Sequence, residues 1–277
     1  MVSNDRWCSH RYATLMTEIL RAIVLGLIQG VTEFLPVSSD GHLLLVRRLF
    51  GWSDEGLAFD TVLHLGTFLA VLVAYRTRWF NLLRSLTRSD AQDDRRLLFL
   101  VVLATIPGAV VGYFAEDVVG SDARTLSVTA AGFLASAVLL ALGDLVARRH
   151  SAASAPSLSS RTALGIGVLQ VLALLPGLSR SGATIAGGLI AGLSRERAVE
   201  FSFLLAAPIV GGAGFYGLLQ WGENGAQHPL ALGLGALAAF LSGIFAIRFL
   251  LRYVRAHSFL PFIAYLVVVA LVSFVFQ

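Results

Sequence analysis

"LLPGLSRSGATIAGGLIAGL" (Leu174–Leu193) is apolar enough to lie in a bilayer, yet it carries Arg180 in its middle. Ser179 and Ser181 flank the arginine, and Pro176, Gly177 and Gly182 break any regular helix around it. An ionisable group inside a membrane segment is costly and marks a functional site whose partner should be named. Non-helical backbone at that depth is tolerated only where it is buried in protein or lines a wet cavity. A second stretch has the same order of features. "GLIQGVTEFLPVSSDGHLLL" (residues 26–45) and "GVLQVLALLPGLSRSGATIA" (residues 167–186) each carry Gln, then Leu-Pro, then Ser at the third position past the proline, then Gly. Pro36 and Pro176 lie 140 positions apart, as do Ser39 and Ser179.

The surrounding chain has membrane composition. Of its 277 residues 56% are hydrophobic and 14% charged, against about 25% charged in a soluble domain. Runs such as Leu97–Ala115, Leu126–Ala147, Phe201–Trp221 and Leu230–Leu251 approach or exceed the roughly 20 residues that cross a bilayer. Net charge is +4, but the arginines cluster in short loops between apolar runs. That is the pattern of topology determinants, so nucleic acid is not an expected partner. The single cysteine, Cys8, excludes an intrachain disulfide and a cysteine metal cluster. The first 20 residues are mixed and lack the apolar core of a signal peptide. The membrane pattern begins at Met16, and residues 1–16 read as an extension or a misassigned start.

Six arginines fall within residues 76–96, and the segments 148–161 and 252–258 are also basic. The segments 116–125 and 221–229 carry one arginine and none. The positive-inside rule makes the first three cytoplasmic and the other two external. Full spans then fall near residues 57–75, 97–115, 126–147, 199–220, 229–251 and 260–276. The segments 17–51 and 163–193 are apolar stretches interrupted by Pro/Ser/Gly and read as re-entrant hairpins. The expected fold is an all-α polytopic membrane protein with an inverted-topology repeat. Each half (about 17–147 and 163–277, within a single membrane domain 17–277) is a re-entrant helical hairpin plus three transmembrane helices. Such repeats place a polar site near the midplane.

The two breaks bring together Gln29, Glu33, Ser38, Ser39, Asp40, His42, Ser179, Arg180, Ser181, Gly182 and Thr184. Gln29 and Glu33 share a helix face by their i, i+4 spacing. Glu33 and Arg180 are natural partners for each other, or both face a charged ligand. New helices start near His42 and Thr184, and their free N–H groups favour an anion. Arg180 adds a fork suited to phosphate oxygens. Ser39 reads as a nucleophile and His42, three residues on, as its general base. A diphosphate carries more charge than one arginine neutralises, so a divalent cation, Mg²⁺ or Ca²⁺, is expected, either with Glu33 and Asp40 as its ligands or with Glu33 orienting His42 instead. Competing readings stand beside these. Ser38, Ser181 and Thr184 also suit helix caps, and His42 a structural role. Asp60, Asp144 and Glu200 read as interfacial or structural, and His64, isolated in an apolar span, as structural.

The motifs "QGVTEFLPVSSDGH" (Gln29–His42) and "PGLSRSGAT" (Pro176–Thr184) resemble those of the undecaprenyl-diphosphate phosphatase, or bacitracin-resistance protein, family over roughly residue 17 to the end. The resemblance implies hydrolysis of undecaprenyl diphosphate to the monophosphate in the bacterial cytoplasmic membrane. It implies divalent-cation dependence, with Glu33, Ser39, His42 and Arg180 essential and Gln29, Ser38, Ser179, Ser181, Gly182 and Thr184 binding substrate. Two positions depart from the family pattern. Gln29 stands where many members have Glu, and Asp40 replaces a small residue. Attack by Ser39 and direct attack by water remain open alternatives, and the rival class is a carrier or flippase using the same site. Expected partners are a polyprenyl diphosphate, membrane lipids and, as an open alternative, a second copy in a homodimer. The lipid tail is expected along grooves near Phe201, Phe203 and Leu204. The cleft is expected to open to the external side.

Overall fold

The computed structural model describes residues 3–53, 57–119, 124–149, 158–219 and 229–277. These residues form helices joined by short turns, without strands. In chain order the helices are α1 (Ser3–Phe34), α2 (Ser39–Leu49), α3 (Leu57–Ala74), α4 (Arg76–Arg84), α5 (Gln92–Val119) and α6 (Leu126–Arg149). Next come α7 (Ser160–Val171), a 3₁₀ turn (Leu172–Leu174), α8 (Arg180–Ile190), α9 (Arg195–Leu219), α10 (Pro229–Tyr253) and α11 (Leu260–Val275).

Five helical stretches are long and apolar enough to cross a membrane: Leu15–Phe34, Gln92–Phe114, Leu126–Arg149, Arg195–Leu219 and Pro229–Tyr253. The number rises to six if the pair Phe59–Ala74 and Arg76–Arg84, bent by 75°, is one span. The expected spans near 97–115, 126–147, 199–220 and 229–251 correspond to α5, α6, α9 and α10. The set differs at two places. Leu15–Phe34, expected as the first arm of a hairpin, has the length and composition of a full span. The span expected at 260–276 is a shorter apolar helix of 16 residues. Hydropathy sees only length and composition, so it cannot separate half of a re-entrant hairpin from a crossing. Residues 221–228 of the expected external segment and residues 150–157 of the segment 148–161 lie outside the described residues.

Large apolar side chains such as Leu20, Leu27, Phe99, Phe245 and Leu271 cover the outside. Inside, small residues set the packing, because helices in lipid gain from close backbone approach rather than from hydrophobic burial. Gly30 of α1 shows this: a Cβ there would lie 2.0 Å from Ser242 Oγ and 2.3 Å from the Ala239 carbonyl oxygen of α10. Helix α9 is packed on by α3, α5 and α8. Phe201, Phe203 and Leu204 are therefore buried core rather than the walls of a lipid groove. Phe203 stands edge-on to Phe34 at 5.5 Å and to Tyr75 at 6.3 Å. An apolar residue in a membrane protein packs inward or outward with equal ease, so composition did not mark this face as inner.

The two breaks are held differently. After α1 the chain turns through Leu35–Ser38, and Ser38 is the one non-glycine residue of positive φ (71°) among those described. After the 3₁₀ turn, Gly177 takes φ 82° with its α-carbon pressed on α6. A Cβ at Gly177 would meet the Thr129 carbonyl oxygen at 2.1 Å. Gly177→Ala therefore combines left-handed strain with a backbone clash. It is expected to cost about 2–4 kcal/mol, read as a lower thermal unfolding midpoint in detergent. An unchanged midpoint would show that the second break does not depend on this contact.

Candidate functional site

The breaks meet. Arg180, first residue of α8, donates from Nη2 to Glu33 Oε1 at 3.0 Å, a contact across 147 positions. Its Nη1 donates to the Ser202 carbonyl oxygen of α9 at 3.1 Å. Ser181 Oγ donates to the Leu35 carbonyl oxygen at 2.9 Å, tying the second break to the backbone of the first. Glu33 stands at the end of α1, where the turn begins. The i, i+4 spacing sets Gln29 beneath it, and Gln29 Nε2 donates to Glu33 Oε2 at 3.0 Å. Ser39 Oγ donates to the same oxygen at 2.7 Å. One carboxylate thus receives a guanidinium, an amide and a hydroxyl. A buried carboxylate persists as an ion only with such partners.

The second break is self-capped. Ser179 Oγ accepts from the Gly182 N–H at 3.0 Å, and the Ser179 N–H donates to Ser136 Oγ at 2.8 Å. Thr184 Oγ1 donates to the Arg180 carbonyl oxygen at 2.9 Å and lies 2.7 Å from Ser202 Oγ. Ser179, Ser181, Gly182 and Thr184 are buried, and of these four only Ser179 lines the cavity described next. They shape the break and hold Arg180 in place. At the start of α2, by contrast, the Ser38 side chain caps nothing. The first amide groups of α2 therefore take no cap from Ser38, and open helix N-termini of this kind favour anions.

A cavity of about 210 Å³ opens over this junction, lined by Glu33, Ser38, Ser39, Asp40, His64 and Arg180 among others. A larger groove of about 590 Å³ on the outward face of α10, between Phe245, Arg248 and Arg252, contains neither a carboxylate nor a serine. Volume does not identify the site here, whereas convergent polar groups do.

His42 is placed otherwise than its spacing suggests. Its Nδ1–H donates to the Ser38 carbonyl oxygen at 2.7 Å, and its Nε2 lies 2.7 Å from Tyr265 Oη. Both nitrogens are engaged away from Ser39, and His42 is absent from the cavity lining. The ring belongs to the turn it braces: it fixes the carbonyl of Ser38, whose backbone is strained. The histidine in the cavity is His64. Its Nδ1 donates to the Asp60 carbonyl oxygen at 2.8 Å, and its Nε2 lies 3.8 Å from both Glu33 Oε2 and Asp40 Oδ1. The rule that singled out Arg180, an ionisable group within an apolar span, could have found His64 as well. Gln170 also lines the cavity. Its signal was its place before the Leu-Pro of the second repeat.

Asp60 and Asp144 have structural partners. Asp60 pairs with the buried Arg47, and Asp144 with Arg148 and Arg195. Among the described residues no group of three or more His, Cys, Asp or Glu is arranged to hold a metal ion. Both oxygens of Glu33 are engaged by the protein, while Asp40 is half-exposed at the cavity edge. Of the two carboxylates only Asp40 has oxygens left over, so the protein by itself offers a cation few ligands.

Fold and site together define a polytopic helical membrane protein with a serine–carboxylate–guanidinium centre facing a cavity of about 210 Å³. Residues 22–272 match the family described as bacitracin resistance protein BacA, and the chain belongs to that family. It is 42% identical over 263 residues to the undecaprenyl-diphosphatase of Rubrobacter xylanophilus, covering 90% of this chain and 95% of that protein. It is 40% identical over 267 residues to the undecaprenyl-diphosphatase of Thermobifida fusca, covering 92% and 91%. With that of Idiomarina loihiensis it shares 39% over 262 residues, covering 93% and 98%.

Proposed function

We infer that the protein hydrolyses undecaprenyl diphosphate to undecaprenyl phosphate and inorganic phosphate, recycling the lipid carrier of cell-wall synthesis in the bacterial cytoplasmic membrane. The family and the relatives' names support the substrate. The observation that carries the chemistry is a nucleophile and a cation on one carboxylate: Ser39 and Arg180 both bind Glu33. Anion transport needs the guanidinium but not the oriented hydroxyl.

In this reading Arg180 and the uncapped N-terminus of α2 hold the diphosphate. Ser39 Oγ attacks the terminal phosphorus and its proton passes to Glu33 Oε2. The bond to the bridging oxygen breaks and undecaprenyl phosphate leaves. Water then attacks the same phosphorus, the proton on Glu33 returns to Ser39 Oγ as the seryl bond breaks, and inorganic phosphate departs with both protons of the water. His64, beside the carboxylate, is the group placed to exchange that proton with water. His42 positions the strained turn that presents Ser39. Asp40, with Glu33 where a cation displaces one of its present partners, would hold Mg²⁺ or Ca²⁺, which would supply the positive charge that one arginine lacks.

The inverted repeat suits the pattern of packing. Helix α1 packs on α10 as α7 packs on α5, and α3 meets α10 as α9 meets α5. The pairs α6–α11 and α3–α9 are their own counterparts under the same exchange. This supports two halves, about 17–147 and 163–277, within one membrane domain; six spans and two re-entrant hairpins rest on the charge pattern of the loops. The charge pattern of the loops favours a cleft open to the external side.

Purified protein in detergent, given undecaprenyl diphosphate with and without a chelator, is expected to release phosphate, and less of it when divalent ions are removed. Lipid movement in liposomes without phosphate release would replace the enzyme by a carrier. Tyr265→Phe removes the hydroxyl from His42. It is expected to lower turnover about fivefold, the value of roughly 1 kcal/mol; an unchanged rate would disconnect the His42 brace from Ser39.

A further inference from the structure

Gln170 lines the cavity at the end of α7, is 3% exposed, and has neither Nε2 nor Oε1 hydrogen-bonded. It is the only buried side chain of the described lining with both polar atoms unpartnered. Comparison with the first repeat explains why. There Gln29 spends its amide on Glu33, four residues on. Four residues after Gln170 stands Leu174, so the second repeat offers its glutamine no carboxylate. The surrounding wall includes Ala173, Leu174 and Ile209. An unpaired amide among such groups costs stability that a leucine would not. A buried polar group of this kind calls for a reason.

We propose that the Gln170 carboxamide is a diphosphate-binding group, its Nε2 donating to a non-bridging oxygen of the substrate; this rests on the reading of the cavity as a diphosphatase site. The chemistry fits the needs of that site. Arg180 is already bound at both ends, to Glu33 and to Ser202. The Glu33 charge offsets much of its attraction for an anion. A neutral donor adds a hydrogen bond without a second fixed charge, so the product phosphate is not trapped. Gly108 of α5 makes room for the amide: a Cβ there would lie 2.7 Å from Gln170 Nε2. That contact is with the far end of a flexible side chain, so Gly108→Ala should fold while pushing the carboxamide aside.

The test uses the full chain in detergent, with polyprenyl diphosphate as substrate and inorganic pyrophosphate as a competing probe. Gln170→Leu is expected to raise KM and the pyrophosphate inhibition constant about tenfold each, with kcat within about twofold. Gly108→Ala is expected to retain the wild-type unfolding midpoint and shift both constants in the same direction. A folded Gln170→Leu protein with both constants unchanged overturns the proposal. If Gln170→Leu does not fold, unchanged constants in Gly108→Ala overturn it instead. Should the wild type release no phosphate, the diphosphatase reading fails. Calorimetric binding of pyrophosphate to wild type and variants then still decides the role of Gln170: weaker binding in the variants sustains it, and equal binding ends it.

Discussion

Replacing Arg180 by alanine is expected to lower kcat/KM for polyprenyl diphosphate by about a thousandfold, equivalent to some 4 kcal/mol of transition-state stabilisation. The loss has two sources, and they can be separated. The guanidinium supplies charge-assisted hydrogen bonds to the phosphate. It also neutralises Glu33, which is 7% exposed. Removing one partner of a buried pair typically destabilises by about 3–5 kcal/mol, because the other charge is left unpaired. Arg180→Ala should therefore also lower the unfolding midpoint. The double variant Glu33→Gln/Arg180→Gln removes both charges and should recover much of that midpoint while remaining inactive. Arg180→Lys keeps a charge but cannot span Glu33 Oε1 and the Ser202 carbonyl oxygen together, so it is expected to rescue only part of the activity. Wild-type turnover in Arg180→Ala would remove the guanidinium from the mechanism.

Ser39→Ala should separate activity from stability still more sharply. The Ser39 side chain is only half-buried and touches Glu33 through its hydroxyl, while Gln29 and Arg180 continue to hold that carboxylate. The unfolding midpoint should stay close to wild type. Phosphate release should fall by roughly six orders of magnitude if Ser39 is the nucleophile, as loss of the nucleophile does in a serine protease. Rapid acid quenching of the wild type should trap phosphate on Ser39. A variant that keeps more than about a tenth of the wild-type rate would instead favour water as the direct attacking group, with Ser39 as a ligand.

Much of the site could be read in the residues. Gln29 and Glu33 share a helix face at any tertiary arrangement, because four residues is close to one turn. Arg180 announced itself by its cost, since a guanidinium in an apolar stretch needs a partner. The parallel order of Gln, Leu-Pro, Ser and Gly in two places suggested that both breaks serve one site. Local spacing failed where a competitor lay far away in the chain. His42 follows Ser39 by three residues, an apt distance for a base. Yet Tyr265 lies 223 positions further on and takes its Nε2, while the Ser38 carbonyl takes its Nδ1. Ser39 turns instead to Glu33.

What the sequence alone determined is the kind of molecule and the cast of groups: apolar helices, two broken segments, and an arginine and a glutamate that had either to meet or to face one charged ligand. Those follow from hydropathy, from turn-forming residues and from the cost of unpaired charge, all of which act locally or by composition. Only the tertiary structure decided the partnerships. It gave Ser39 to Glu33, His42 to Tyr265, and His64 and Gln170 to the cavity, and it turned Phe201 and Phe203 inward. Hydrogen bonds form with whatever packing brings within about 3 Å, and in a bundle of helices in lipid an apolar face carries no mark of which neighbour will cover it.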